Sequence, residues 1–219
     1  MATHHSQNSH SERLLASATD EWQAMQEHRF VVDIERDRLA ADAFARYLSY
    51  EGRFVETAMA IFGYALVKAD TVAHKHWLIG VLHALSTEQV PYFERTLAAL
   101  DLPRSYDDVP LPTAVSAFDS GMLDIARNGT YEEVIVSMLA AEWMYGTWCT
   151  RASHASISNP YVRDWVALHA EPTFLAQVQW LKAQVDGWSA QRFDFERSSA
   201  IFRKVLALEI DFHSAAYEA

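Results

Sequence analysis

A lone cysteine, Cys149, excludes an intrachain disulfide framework and any C-x-x-C pair for redox or zinc chemistry, and it suits a reducing cytosol. Glycine and proline are sparse, seven and six in 219 residues, and no Gly-rich phosphate loop or G-x-S-x-G elbow occurs. Basic residues are the minority, 18 against 29 acidic ones, for a formal net charge of −11. They are also scattered, which argues against nucleic acid or an anionic membrane as partner. No apolar run approaches the roughly 20 residues that span a bilayer, and the start lacks the apolar core of a signal peptide. A soluble cytoplasmic protein with no cofactor is the expectation.

What remains is rich in apolar residues, 50% of the chain, arranged at helical rather than strand spacing. Residues 1–10 are polar and His-rich and are expected to form a disordered tail, leaving 11–219 as a single domain. A first helix runs from Ser11 to about Arg29, with Leu14, Leu15, Ala18, Trp22 and Met25 at helical intervals. The run from Phe30 to Ile34 has no strand partner nearby and is assigned as a connector. Long helices follow over about Leu39 to Ala69 and Val72 to Leu100, the second expected to kink at Pro91. Residues 101–112 hold three of the six prolines and form the longest loop, a natural lid or packing strap. Further helices are placed at Thr113 to Arg127, Tyr131 to Ser153, Asn159 to Ala170, Pro172 to Trp188 and Phe193 to Tyr217. Thr130 with Glu133 forms a capping box for the second of these. With no period-2 alternation or hairpin turn, the fold class is all-α, a bundle of seven or eight helices.

Three glutamates carry the chemistry. Glu51, Glu142 and Glu209 each interrupt or flank an apolar stripe on a different helix. Burying an unpaired carboxylate costs several kcal/mol, on the order of the price of an unmade charged hydrogen bond, so three such residues imply a shared polar cavity. Carboxyls sharing a cavity push their pKa values apart, leaving one as acid and another as base. The bland alternative is a local partner for each. Tyr145, three residues after Glu142, can reach the same cavity, or can be a core tyrosine bonded to a neighbouring helix. Cys149 has no histidine at helical spacing to activate it and reads as buried filler. A di-iron bundle would want E-x-x-H on two helices, and the chain has none. Glu209-x-x-x-His213, with His74, His76, His83 and His169, leaves a metal-dependent oxidase as the weakest alternative.

In order along the chain, Phe30 to Ile34, Phe44-x-x-Tyr47-Leu48-x-x-Glu51, Ala140 to Trp148, Asn159-Pro-Tyr-x-x-x-Trp165 and Glu209-x-x-Phe212 resemble successive blocks of the TenA/thiaminase II family. That resemblance implies a heme-oxygenase-like all-α fold, a homodimer or homotetramer, and hydrolysis of aminopyrimidines in thiamin salvage. It also implies roles. Glu51 stands where the family has an Asp that holds the aminopyrimidine, Tyr145 matches a pocket tyrosine, and Glu209 matches the acid/base for the leaving amine. Ala141 occupies the place of the family's nucleophilic cysteine, and Phe54 and His169 replace family tyrosines lining the substrate pocket. Cys149 lies two turns away, about 12 Å along the axis, too far to substitute. Water activated by Glu209 with Glu142 is then the expected route to hydrolysis of an aminopyrimidine or related heterocyclic amine. The competing expectation is a catalytically silent relative that binds a ligand or a protein.

Overall fold

The computed structural model describes residues 9–102 and 111–218. Within them every regular element is helical: α1 (His10–Ser17), α2 (Thr19–Gln26), α3 (Arg29–Glu35), α4 (Ala41–Lys68), α5 (Val72–Ala84), a π-helical turn (Leu85–Gln89), α6 (Val90–Ala99), α7 (Thr113–Asn128), α8 (Tyr131–Ala152), α9 (Pro160–Ala170), α10 (Pro172–Asp186) and α11 (Phe195–Ala215). The all-α class is as expected. The count exceeds seven or eight because several expected elements divide.

The axis of the molecule is α8. Its capping box is present, with the Thr130 hydroxyl accepting from the Glu133 amide at 3.3 Å and the Glu133 carboxylate accepting from the Thr130 amide at 3.3 Å. Arg197 at the start of α11 pairs with the same Glu133, pinning the two helices together at one end. Below that cap α8 is buried on nearly every side, from Tyr131 through Ala152, and it packs against α11, α10, α9, α4 and α7. A helix apolar all round has to be central. Gly146 sets the approach of α10, since a Cβ there would lie 3.3 Å from Leu175 Cδ2 and 3.4 Å from Val178 Cγ2.

Three elements depart from the sequence expectation. The run from Phe30 to Ile34 is not a connector but the body of α3, with Phe30, Val31, Asp33 and Ile34 buried; a short apolar run enclosed on several sides carries no readable period. The expected Ser11–Arg29 helix is two helices meeting at Ala18, and it starts earlier, with Ser9 as its cap and Glu12 completing a capping box. Ser9 and His10 thus belong to α1 and its cap, and the rest of the expected tail, residues 1–8, lies outside the described residues. The kink expected at Pro91 is spread into the π turn just before it. Proline offers no amide to the Thr87 carbonyl and its ring crowds that group, so the backbone widens. Most of the expected 101–112 loop, residues 103–110, also lies outside the described residues. No helix among the described residues is long and apolar enough to cross a membrane.

Candidate functional site

The three glutamates are delivered by the three longest helices, Glu51 from α4, Glu142 from α8 and Glu209 from α11. Glu51 is 9% and Glu209 1% exposed. Glu142 is partly exposed, yet its Oε2, like the Oε2 of Glu51 and of Glu209, is shut off from solvent and has no hydrogen-bond partner. Burial raises the pKa of Glu51 to about 8, with the Glu142 charge adding to the rise and the Tyr145 hydroxyl opposing it. Burial likewise raises Glu142 to about 8, opposed by a hydrogen bond from Gln177. Glu209 is pushed well above the carboxylate range by burial, then by Glu51 and Glu142. Glu142 raises the pKa of Glu51, and both raise that of Glu209, so the three carboxyls interact, and near neutral pH they are largely protonated.

Tyr145 completes this group. Its hydroxyl lies 2.8 Å from the Tyr47 hydroxyl and 3.4 Å from His213 Nε2. The donor directions follow from His213. Burial, with His28 nearby, lowers its pKa to about 3, so the ring is neutral. Its Nδ1 lies 2.7 Å from the Glu209 carbonyl oxygen, which only accepts, so Nδ1 carries the proton. Nε2 is then an acceptor and takes the Tyr145 proton while Glu51 is protonated, whereas an ionised Glu51 competes for that proton; in both cases Tyr47 is left to donate to the Tyr145 oxygen. One Tyr145 lone pair remains for a carboxylic acid or a ligand N–H. Glu209 Oε2 stands 3.6 Å from His213 Nδ1, beyond hydrogen-bond range, and stays free.

The remaining expected positions divide. Ala141 is buried on α8 at 8% exposure, beside Glu142. His169 is buried, its Nδ1 bonded to the Trp165 carbonyl at 3.0 Å and its ring 5.1 Å from that of Tyr145; burial lowers its pKa to about 4. Its Nε2 is therefore also an acceptor. Phe54 packs on Phe118 at 4.4 Å, and Phe118 on Phe212 at 4.8 Å; Phe54 and Phe212 also line a recess of about 10 Å³, room for roughly one water. Cys149 is fully buried, and burial, then Glu51, raises its pKa. It has no thiolate to offer at neutral pH. Among the described residues no group of three or more His, Cys, Asp or Glu side chains is placed to hold a metal ion.

Sequence reasoning missed Tyr47, Gln177 and the part played by His213. Tyr47 and His213 had a signal, standing four residues from Glu51 and Glu209 and so on the same helix faces. Gln177, on α10, had none.

The TENA/THI-4/PQQC family model matches residues 15–219. An aminopyrimidine aminohydrolase of Halalkalibacterium halodurans is 22% identical over 202 residues, 90% of each chain. Among solved structures, a TenA homologue from P. horikoshii OT3 superposes with a TM-score of 0.87 at 20% identity, covering 96% of this chain and 99% of its own. A TenA family transcription regulator from Silicibacter sp. TM1040 gives 0.87 at 17% identity, covering 96% and 97%. These similarities to solved structures establish the shared fold.

Proposed function

The chain belongs to the TENA/THI-4/PQQC family, and from that premise we propose that it hydrolyses the exocyclic amine of an aminopyrimidine, using glutamates where a thiol nucleophile is missing. The observation that carries this reading is the set of three interacting glutamates, each with a buried, unpaired carboxyl oxygen, with Tyr145 beside Glu51 and Glu209. Such groups cost several kcal/mol, of the order of a buried unmade hydrogen bond each, unless a ligand rich in N–H donors completes them. An aminopyrimidine with an aminomethyl arm is such a ligand.

In this scheme Glu51 and the acceptor lone pair of Tyr145 hold the ring amine. Glu209, whose raised pKa keeps it protonated, gives its proton to the leaving nitrogen as the C–N bond breaks with its electron pair going to nitrogen. Ammonia departs, water forms the new C–O bond, and its proton passes to Glu142 in the fraction of molecules where that carboxyl is ionised, a fraction that grows as pH approaches about 8. The cluster ends with the proton count it began with. Ala141 supplies space rather than a covalent bond. The apolar side chains of Val67, Val72 and Ile79, 79%, 83% and 55% exposed, support assembly as a homodimer or homotetramer.

The test is ammonia release from a 4-amino-5-aminomethylpyrimidine by the wild type and by Glu209→Gln. Turnover lost in the variant with binding retained supports the scheme; no turnover by wild type across aminomethyl-, formylaminomethylpyrimidines and thiamin sinks it. The absence of a thiol at Ala141 favours one second reading, a silent relative that binds the same heterocycle. Calorimetry separates the two, since the silent protein binds the amine and releases no ammonia.

A further inference from the structure

In the proposed hydrolysis Glu142 must be ionised when water attacks, and the side chain that hydrogen-bonds it is Gln177 of α10. We propose that Gln177 is a positioning residue for this reaction, its amide holding Glu142 both before and after that carboxyl takes the proton of the attacking water. This deepens the function proposed above and rests on it.

Three observations support the assignment. First, the backbone delivers Gln177 to Glu142. Gly146 lies one turn beyond Glu142 on α8 and admits α10: a Cβ there would meet Leu175 Cδ2 at 3.3 Å, Val178 Cγ2 at 3.4 Å and Phe174 Cε1 at 3.7 Å. Leu175 and Val178 stand on either side of Gln177, so α10 is seated on α8 at the residue that reaches Glu142. Second, among the described residues no cation pairs with Glu142, and its Oε2 has no hydrogen-bond partner. The helices packed on α8 bring other groups. Glu51 of α4 and Glu209 of α11 share its cluster, His169 of α9 is neutral, and Lys182 of α10 lies over the Trp143 ring at 4.0 Å. On α2, α3 and α7, Glu21 pairs with Arg203, Asp33 with Arg29 and Arg38, Glu35 with Arg151, and Asp119 accepts from Thr57. Gln177 is thus an uncharged partner in acidic surroundings. Third, the amide has room to turn. It borders a groove of about 380 Å³ between α5 with its π turn and the α9–α10 junction, where Glu88, Glu171 and His76 also line the wall.

A primary amide carries two N–H donors and a carbonyl acceptor, so it can serve a carboxyl in both protonation states. Before the transfer the Gln177 N–H donates to the Glu142 carboxylate. Water then forms the C–O bond and gives its proton to Glu142, while the C–N pair goes to nitrogen with the Glu209 proton. The new Glu142 O–H donates to the Gln177 carbonyl, and Gln177 itself gains and loses no atom. Being uncharged, the amide offsets only part of the effect of burial, which leaves Glu142 at about 8.

Ammonia release from a 4-amino-5-aminomethylpyrimidine, followed from about pH 6 to about pH 9, tests it. Wild-type kcat should rise with pH toward about 8, and Glu142→Gln should lose that rise. Gln177→Leu removes both donor and acceptor; it should move the rise upward by about one pH unit, lowering kcat about tenfold at neutral pH and leaving KM within about twofold. Gln177→Arg should move the rise downward by about one pH unit or more, because a guanidinium favours the carboxylate. Carbon NMR titration of the Glu142 carboxyl should shift in the same two opposite directions, whether or not a variant turns over. A rise and a titration that stay put in both variants, or move the same way in both, make Gln177 a packing residue and overturn the proposal while the hydrolase reading stands. If the wild type releases no ammonia, the hydrolase reading falls and the proposal falls with it.

Discussion

Glutamine in place of Glu51 keeps the shape of a protonated carboxyl and removes its titration, so its effect on stability should depend on pH. The Glu51 pKa rises from 4.5 to about 8 in the folded protein, above its unfolded value. Between those values the unfolded chain holds fewer protons, so the stability contribution is full below pH 4.5 and is lost as pH rises through about 8. A rise of 3.5, from 4.5 to 8, at about 1.36 kcal/mol per pH unit, gives about 5 kcal/mol of penalty on the wild type once pH exceeds about 8. Glu51→Gln lifts that penalty and also relieves Glu209, which Glu51 pushes upward. Urea unfolding of the ligand-free proteins should show the variant close to wild type at about pH 5 and several kcal/mol more stable at about pH 8. An effect of equal size at both pH values, or destabilisation at the higher one, would refute the claim that Glu51 is enclosed with other carboxyls and lacks a cationic partner.

Cys149 should resist iodoacetamide in the folded protein at neutral pH, while Ala141→Cys should introduce a thiol that reacts and that a bound aminopyrimidine protects; mass spectrometry distinguishes the two sites. His213→Phe removes the acceptor for Tyr145 and leaves the Glu209 carbonyl without its imidazole partner, so it should cost about 1–3 kcal/mol in urea unfolding. In the same variant the freed Tyr145 proton should shift ligand preference from a 4-amino toward a 4-oxo pyrimidine in calorimetry. On the acid side His169 and His213, lowered to about 4 and about 3 from 6.5, contribute stability that is full above 6.5 and is lost as pH falls toward those values. His169→Gln should flatten that limb of the pH–stability curve.

Much of the architecture was legible because its signals are local. Thr130 and Glu133 announce the start of α8, and the apolar spacing through Val134, Met138, Tyr145 and Trp148 marks it as buried. The glutamates were legible for the opposite reason, as polar residues in apolar stripes. What escaped depended on contacts distant in the chain. Phe30 is a helical residue whose ring packs on Tyr47 at 4.3 Å, and nothing within the short run from Phe30 to Ile34 encodes that neighbour. The polarity of Tyr145 is set by His213, 68 residues away in sequence, and Gln177 meets Glu142 only because Gly146 lets α10 come close. The groove likewise arises between helices whose own patterns say nothing of the gap between them.

If carboxyl groups alone release the amine from the pyrimidine, single-turnover assays with enzyme in excess over a 4-amino-5-aminomethylpyrimidine should give stoichiometric ammonia from the wild type, undiminished in Cys149→Ala and abolished in Glu209→Gln. Undiminished release by Glu209→Gln, or its loss in Cys149→Ala with the fold intact, would show that the glutamates do not carry the reaction.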